Sequence, residues 1–238
     1  MKKLLTLTIM LSILFFAVAS HAHHLWIEAG DNGCYTVKRG MITQRTDIYN
    51  PACVTEIRAY AENEKQISID RVNETEQVVF KTETPAAMAS VVSKWGHRVN
   101  TTRGKKLMNR QEAESAGFKV VSAFFSTQFS KTLFLPSSLN QKPLGLKFEM
   151  VPISDPIGAK PGETLSVKLL YEGNPLAGAS IIMRGGQEFK TDKNGVAQIN
   201  LKDKGVQLLY ARHNVPAENN SELDFLRFMT FLTFEVTP

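Results

Sequence analysis

Leu165-Ser166-Val167-Lys168-Leu169 alternates apolar and polar residues without a break. A period of two sends successive side chains to opposite faces of an extended chain, so this stretch reads as a half-buried β-strand. The segments after it have the same grain. Asn174-Pro175 marks a turn, Ala179 to Met183 is the next strand, Lys193-Asn194-Gly195 the next hairpin, and Val196 to Leu201 the strand after it. Val206 to His213 and Phe228 to Val236 complete the second half. Short strands at this spacing, six or so in number, predict a β-sandwich.

Toward the N-terminus the runs are shorter: Thr36-Val37-Lys38, Glu56 to Ala61, Ile67-Ser68-Ile69, Val78-Val79-Phe80 and Val120 to Phe125. One helix is expected, from Lys105 to Ala116, stopped by Gly117. Between the halves, Pro152 to Gly162 is rich in proline and glycine. Proline cannot donate to a ladder, so this reads as a linker or a crossing strand and sets the boundary. The expected organisation is a leader over 1–22, an N-terminal β domain over 23–155 and a C-terminal β-sandwich over 156–238.

The leader reading rests on the order of its parts. Met1-Lys2-Lys3 is basic, Leu4 to Val18 is apolar, and Ala19-Ser20-His21-Ala22 supplies small residues for cleavage. The apolar run is near the low end of the ~17–25 residues that span a bilayer. A cleaved, periplasmic chain with no membrane span is therefore expected. Cleavage after Ala22 makes His23 the first residue, whereas cleavage after Ala19 leaves Ser20 first and His21 second. The formal charge of +5 is mild, and the leader carries Lys2 and Lys3 of it. Nucleic-acid binders concentrate charge into a stripe. The densest basic stretch here, Arg98 to Arg110, is followed at once by Glu112 and Glu114 and reads as a solvated loop and helix start, so no nucleic-acid partner is expected. Cys34 and Cys53 are the two cysteines. In an oxidising compartment they read as one disulfide, closing a loop of about 20 residues for roughly 3 kcal/mol. The rival reading makes them thiolate metal ligands.

Several blocks stand in a distinctive order: His23-His24-Leu25-Trp26-Ile27-Glu28, then Ser130-Lys131, then Leu146 to Pro152 with Asp155-Pro156, then Lys160-Pro161-Gly162-Glu163. Glu172 to Ala179, Thr191 to Gly195, Ala211-Arg212-His213 and Leu232 to Val236 come after them. In order and spacing the chain resembles a bacterial periplasmic family of unknown function that includes the periplasmic subunits of nickel and cobalt transport complexes. The resemblance implies an all-β fold of two immunoglobulin-like domains in tandem, the second also similar to transthyretin-like modules. It further implies a role in uptake or handling of a divalent transition metal, with a membrane metal transporter as partner.

The residues offer donors for that role. A free α-amine at His23 becomes a ligand once a metal displaces its proton, and it can chelate with its own ring. His24 can instead chelate through its ring, the intervening amide and the amine. Imidazole suits nickel, cobalt, copper and zinc. The bland reading is a frayed terminus, which Leu25, Trp26 and Ile27 oppose by pinning the start into a sheet. His213 shares a face with Leu209 and Ala211; family position makes it a candidate ligand, and its neighbours make it a candidate structural residue. His97, in Trp95-Gly96-His97-Arg98, reads as part of a polar loop and is the weakest candidate. Neither G-x-S-x-G, nor H-E-x-x-H, nor a phosphate-cradling loop is present, so a non-enzyme is expected. A copper brace of the kind found in oxidative polysaccharide-cleaving enzymes is the catalytic alternative. The leading expectation is a periplasmic metal-binding protein; the runner-up is a metal-free envelope β-sandwich acting as a structural or interaction module.

Overall fold

The computed structural model describes residues 23–237; the leader and both cleavage sites lie outside them. The chain is all-β. In order it runs β1 (His24–Ala29), β2 (Cys34–Met41), β3 (Arg45–Thr46), β4 (Val54–Tyr60), β5 (Gln66–Ile67), β6 (Ile69–Asn73), β7 (Val78–Thr82), β8 (Met88–Thr101) and β9 (Gly104–Lys106). A short helix α1 (Arg110–Ser115) precedes β10 (Val120–Leu133) and β11 (Phe148–Pro152). Then come β12 (Thr164–Tyr171), β13 (Asn174–Pro175), β14 (Ser180–Met183), β15 (Glu188–Lys190), β16 (Val196–Asn200), β17 (Gly205–Pro216) and β18 (Phe225–Val236).

These strands form three sheets. A five-stranded sheet holds β1-β2-β7-β6 with β3 on β2, and a four-stranded sheet holds β11-β12-β13 with β16 on β12. The third sheet, of nine strands, runs β15-β14-β17-β18-β10-β8-β4-β5 with β9 on β8. It draws strands from both sides of the Pro152–Gly162 crossing. β10 and β18 lie side by side in parallel, Phe124 opposite Phe225 through to Thr132 opposite Thr233.

Side-chain parity in β18 explains the layering. Phe228, Leu232, Phe234 and Val236 enter one apolar core with Leu165, Val167, Leu169 and Phe148 of the four-stranded sheet. Met229 and Phe231, of the other parity, enter a second core with Leu25, Val37 and Phe80 of the five-stranded sheet. β17 divides the same way, Leu209 and Ala211 into the first core and Leu208 into the second. The nine-stranded sheet is thus the shared wall of two sandwiches, and its middle strands are buried on both faces. Such strands read as near-continuous apolar runs, as Phe228 to Phe234 does.

One ion pair lies inside this packing. Lys131 Nζ of β10 sits 2.6 Å from Glu149 Oε1 of β11, with each side chain only 2% exposed. The carboxylate also accepts the backbone N–H groups of Leu144 (2.7 Å) and Leu146 (3.2 Å). Burial pushes the lysine down from its ordinary value, against the pull of Glu149.

Four expectations need correction. Cys34 and Cys53 are both free thiols. Cys34 opens β2, opposite Lys81 of the five-stranded sheet, whereas Cys53 ends a 3-10 turn that feeds β4 of the nine-stranded sheet. Their closeness in sequence does not bridge those two frameworks. The expected helix is shorter: Lys105 and Lys106 are in strand β9, and α1 begins at Arg110, where Asn109 and Glu112 form a reciprocal capping box. Lys193-Asn194-Gly195 is a turn but not a hairpin, because β15 belongs to the nine-stranded sheet and β16 pairs with β12. Trp95 to Arg98 is not a loop; it lies inside the 14-residue strand β8. Among the described residues no helix is long and apolar enough to cross a membrane.

Candidate functional site

The second core pins β1. Leu25, Trp26 and Ile27 are all buried. The hydroxyl of Ser130 donates to Leu25 O at 2.9 Å and Thr132 Oγ1 accepts Ile27 N–H at 3.1 Å, so β1 is fastened to the polar parity of β10. His24 is drawn in with it. Its ring is 5% exposed, stands 5.6 Å from the Tyr210 ring, and accepts the Ile42 N–H on Nδ1. That hydrogen bond occupies the nitrogen that chelation with the preceding amide would use.

His23 is half-exposed and its Nε2 lies 3.1 Å from Asp47 Oδ2. Asp47 is brought there by a close approach of backbone. Gly40, opposite His24, has φ of +139°, and a Cβ on it would stand 2.4 Å from Arg45 O. Only glycine lets the turn after β2 fold back this tightly. Asp47 also lies 3.7 Å from Arg39 Nη1 and from Arg45 Nε. Burial, then the Arg39 charge, holds the His23 imidazole below its usual value, with Asp47 pulling the other way.

Beside His23 opens a cleft of about 180 Å³ whose lining includes Arg39, Arg98, Lys105, Arg212 and Arg227, with Trp95 and Phe124 among its walls. Among the described residues no carboxylate lines it. A bulge in β8 helps to shape this wall. The β8–β10 register skips a residue where Gly96 faces Ser126 and Lys94 faces Thr127, leaving Trp95 as the extra residue. Gly96 sits at φ +71°, the left-handed conformation such a bulge needs, and a Cβ there would meet nothing within 4 Å. Trp95 is 7% exposed, and its indole N–H has no hydrogen-bond partner among the described residues. Arg39 stacks 4.5 Å over the Trp95 ring and Arg227 4.0 Å over Phe124. The crowding shows in the ionisation of these groups. Burial and then Arg212 bring Arg227 down to about 10, and burial and then Arg39 lower Arg98. Lys105 is lowered by desolvation and then by Arg227, Arg212 and Arg98.

The four candidate histidines are not brought together. Arg212 lines the cleft, and its neighbour His213 turns to the other face of the sheet, 4.7 Å from the Tyr171 ring and 5.9 Å from Phe148. Burial there lowers its pKa. Arg98 and Phe124 likewise line the cleft, while their neighbours His97 and Phe125 pack edge to face against each other at 5.3 Å. His213 therefore cannot complete a coordination sphere begun at His23. Among the described residues no three of His, Cys, Asp and Glu are grouped so as to hold a metal ion. Arg98 and Lys105, read from sequence as solvated, are cleft residues. Arg39, Asp47, Arg212 and Arg227 were not anticipated; the signal on offer was Arg227 alone inside the apolar Phe225 to Phe228.

The family model described as a domain of unknown function, DUF4198, matches residues 20–215. No curated protein matches the chain. Among solved structures, the D0-D1 domain of Intimin is similar over 90% of this chain and 98% of its own, at 12% identity. Its TM-score of 0.23 is too low to bear on fold or function.

Proposed function

From the premise that the chain belongs to the DUF4198 family, whose description assigns no activity, we propose that it is a non-catalytic binding protein of the bacterial periplasm that takes a divalent transition metal where β1 begins and passes it to a membrane transporter. The observation that carries this reading is the approach of His23 to Asp47, 3.1 Å apart at a half-exposed chain start. Cleavage after Ala22 would add the α-amine of His23, giving amine, imidazole and carboxylate as three donors on one spot. Nickel, cobalt, copper and zinc all accept such nitrogen and oxygen donors, copper most tightly. The cleft cations oppose a bare dication, so affinity rests on the nitrogen donors and on Asp47.

The test begins with mapping the native N-terminus by mass spectrometry, followed by titration of Cu(II) and Ni(II). Protein beginning at His23 is expected to bind with release of protons, and affinity should fall steeply as pH drops through the amine and imidazole ranges. One residue added ahead of His23, or Asp47→Ala, should weaken binding by about tenfold or more. His213→Ala should leave metal affinity unchanged. Equal binding by the extended and native forms would reject the amine as ligand. Absence of binding by either would favour a second reading, a metal-free envelope module, supported by the structural role His24 plays against Ile42 and Tyr210.

A further inference from the structure

Five cationic side chains line the cleft with no lining carboxylate among the described residues; Asp47 meets Arg39 at 3.7 Å, and a negative ligand would relieve the repulsion left among the others. We propose that the cleft binds a small polyvalent oxyanion, a hydroxylated di- or tricarboxylate or a phosphate, gripped by Arg39, Arg98 and Arg227 and closed over by Arg212 and Lys105. The guanidinium faces of Arg39 and Arg227 are taken up by Trp95 and Phe124. Stacking of this kind fixes the plane; Arg227 Nε donates to Asn214 Oδ1 at 3.1 Å and Arg39 Nη1 faces Asp47, leaving the other N–H groups for carboxylate or phosphate oxygens.

Two further donors stand ready. Trp95 Nε1 and Arg39 Nε are buried and lack partners among the described residues. Buried donors of this kind are costly unless something accepts from them. One acceptor also lacks a partner among the described residues: Gln128 Oε1, on a side chain 6% exposed, suits a ligand hydroxyl. The volume of about 180 Å³ excludes a drug-sized molecule or a folded partner and admits a small acid. The cleft walls come from β2, β8, β9, β10, β17 and β18, so the site exists only in the complete fold. The proposal does not rest on the metal reading, because neither the amine nor Asp47 is needed to hold an anion.

Calorimetric titration of the full mature chain with citrate and with inorganic phosphate, at low ionic strength and without metal, tests it. Saturable binding is expected, weakening steeply with added salt and raising the melting temperature. Arg98→Met and Arg227→Met should each weaken binding by about tenfold or more. Each should leave the melting temperature of the ligand-free protein unchanged or higher, since one charge leaves the crowd, which separates loss of ligand from loss of fold. Binding of citrate alone identifies a carboxylate ligand, and binding of phosphate alone a phosphate ligand. No heat with either probe, equal affinity in the methionine variants, or binding to anionic vesicles without binding to the free anions would overturn the proposal.

Discussion

Glu149→Leu is expected to be among the most damaging single substitutions in this chain, costing about 3–5 kcal/mol. The carboxylate is the counter-charge of Lys131, 2.6 Å away and equally buried, and it caps two backbone N–H groups between β10 and β11. Its removal leaves an ammonium and two amides without partners in an apolar core. The lysine then loses its proton or the packing opens. Lys131→Met should cost less, because Glu149 keeps its two backbone donors. The double variant Lys131→Met with Glu149→Leu should recover part of the loss, since a pair replaced by apolar side chains strands no charge. Urea denaturation of the four proteins forms a double-mutant cycle. Strict additivity of the two single losses would show that the pair does not act as a unit.

Residues 23–155 expressed alone should fail to fold. β10 would lose the parallel partner that covers Phe124 to Thr132, and the second core would lose Leu208, Met229 and Phe231. The complementary piece fares no better, since Phe129 and Leu133 of the first half belong to the first core. Heteronuclear NMR of each half should show collapsed dispersion, and the full chain should unfold in one transition. A dispersed spectrum from either half alone would sink this expectation.

The strands legible in the sequence are those with one wet face and those, like β17 and β18, whose apolar runs are nearly continuous. β12 and β16 alternate along most of their length and can be read nearly residue by residue, while β14, Ser180-Ile181-Ile182-Met183, is read from its apolar run between turns. Strands whose covered face is polar, or that a bulge breaks, are harder to read. β10 is recognisable only to Phe125, because the polar parity from Ser126 to Thr132 lies against β1 and the cleft and not in an apolar core. β8 escapes because Gly96, the signature of a loop in one dimension, serves a bulge in three. The ion pair was in plain view among the blocks that carry the family resemblance, as Lys131 and Glu149, yet nothing in one sequence says that these two residues meet. The cleft was illegible for a related reason. Its five cations are scattered from Arg39 to Arg227, and only packing of the sheet that holds β2 against the sheet that holds β8, β9, β17 and β18 gathers them. Leu25, Trp26 and Ile27 do hold β1 in a sheet, but which of His23 and His24 stays exposed depends on strand parity.

The parallel pairing of β10 with β18 has a consequence for how the molecule matures. Gln128 and Met229, joined across that ladder, are 101 residues apart. The crossing between them carries the whole four-stranded sheet. Such a fold has high contact order, and closing so long a loop before any ladder bond forms makes folding slow. A ribosome delivers β18 after all the other strands. Until it emerges, β10 and β17 each expose an unpaired edge, and both cores stand open. The emerging chain therefore passes through an aggregation-prone interval that ends only when its last strand docks.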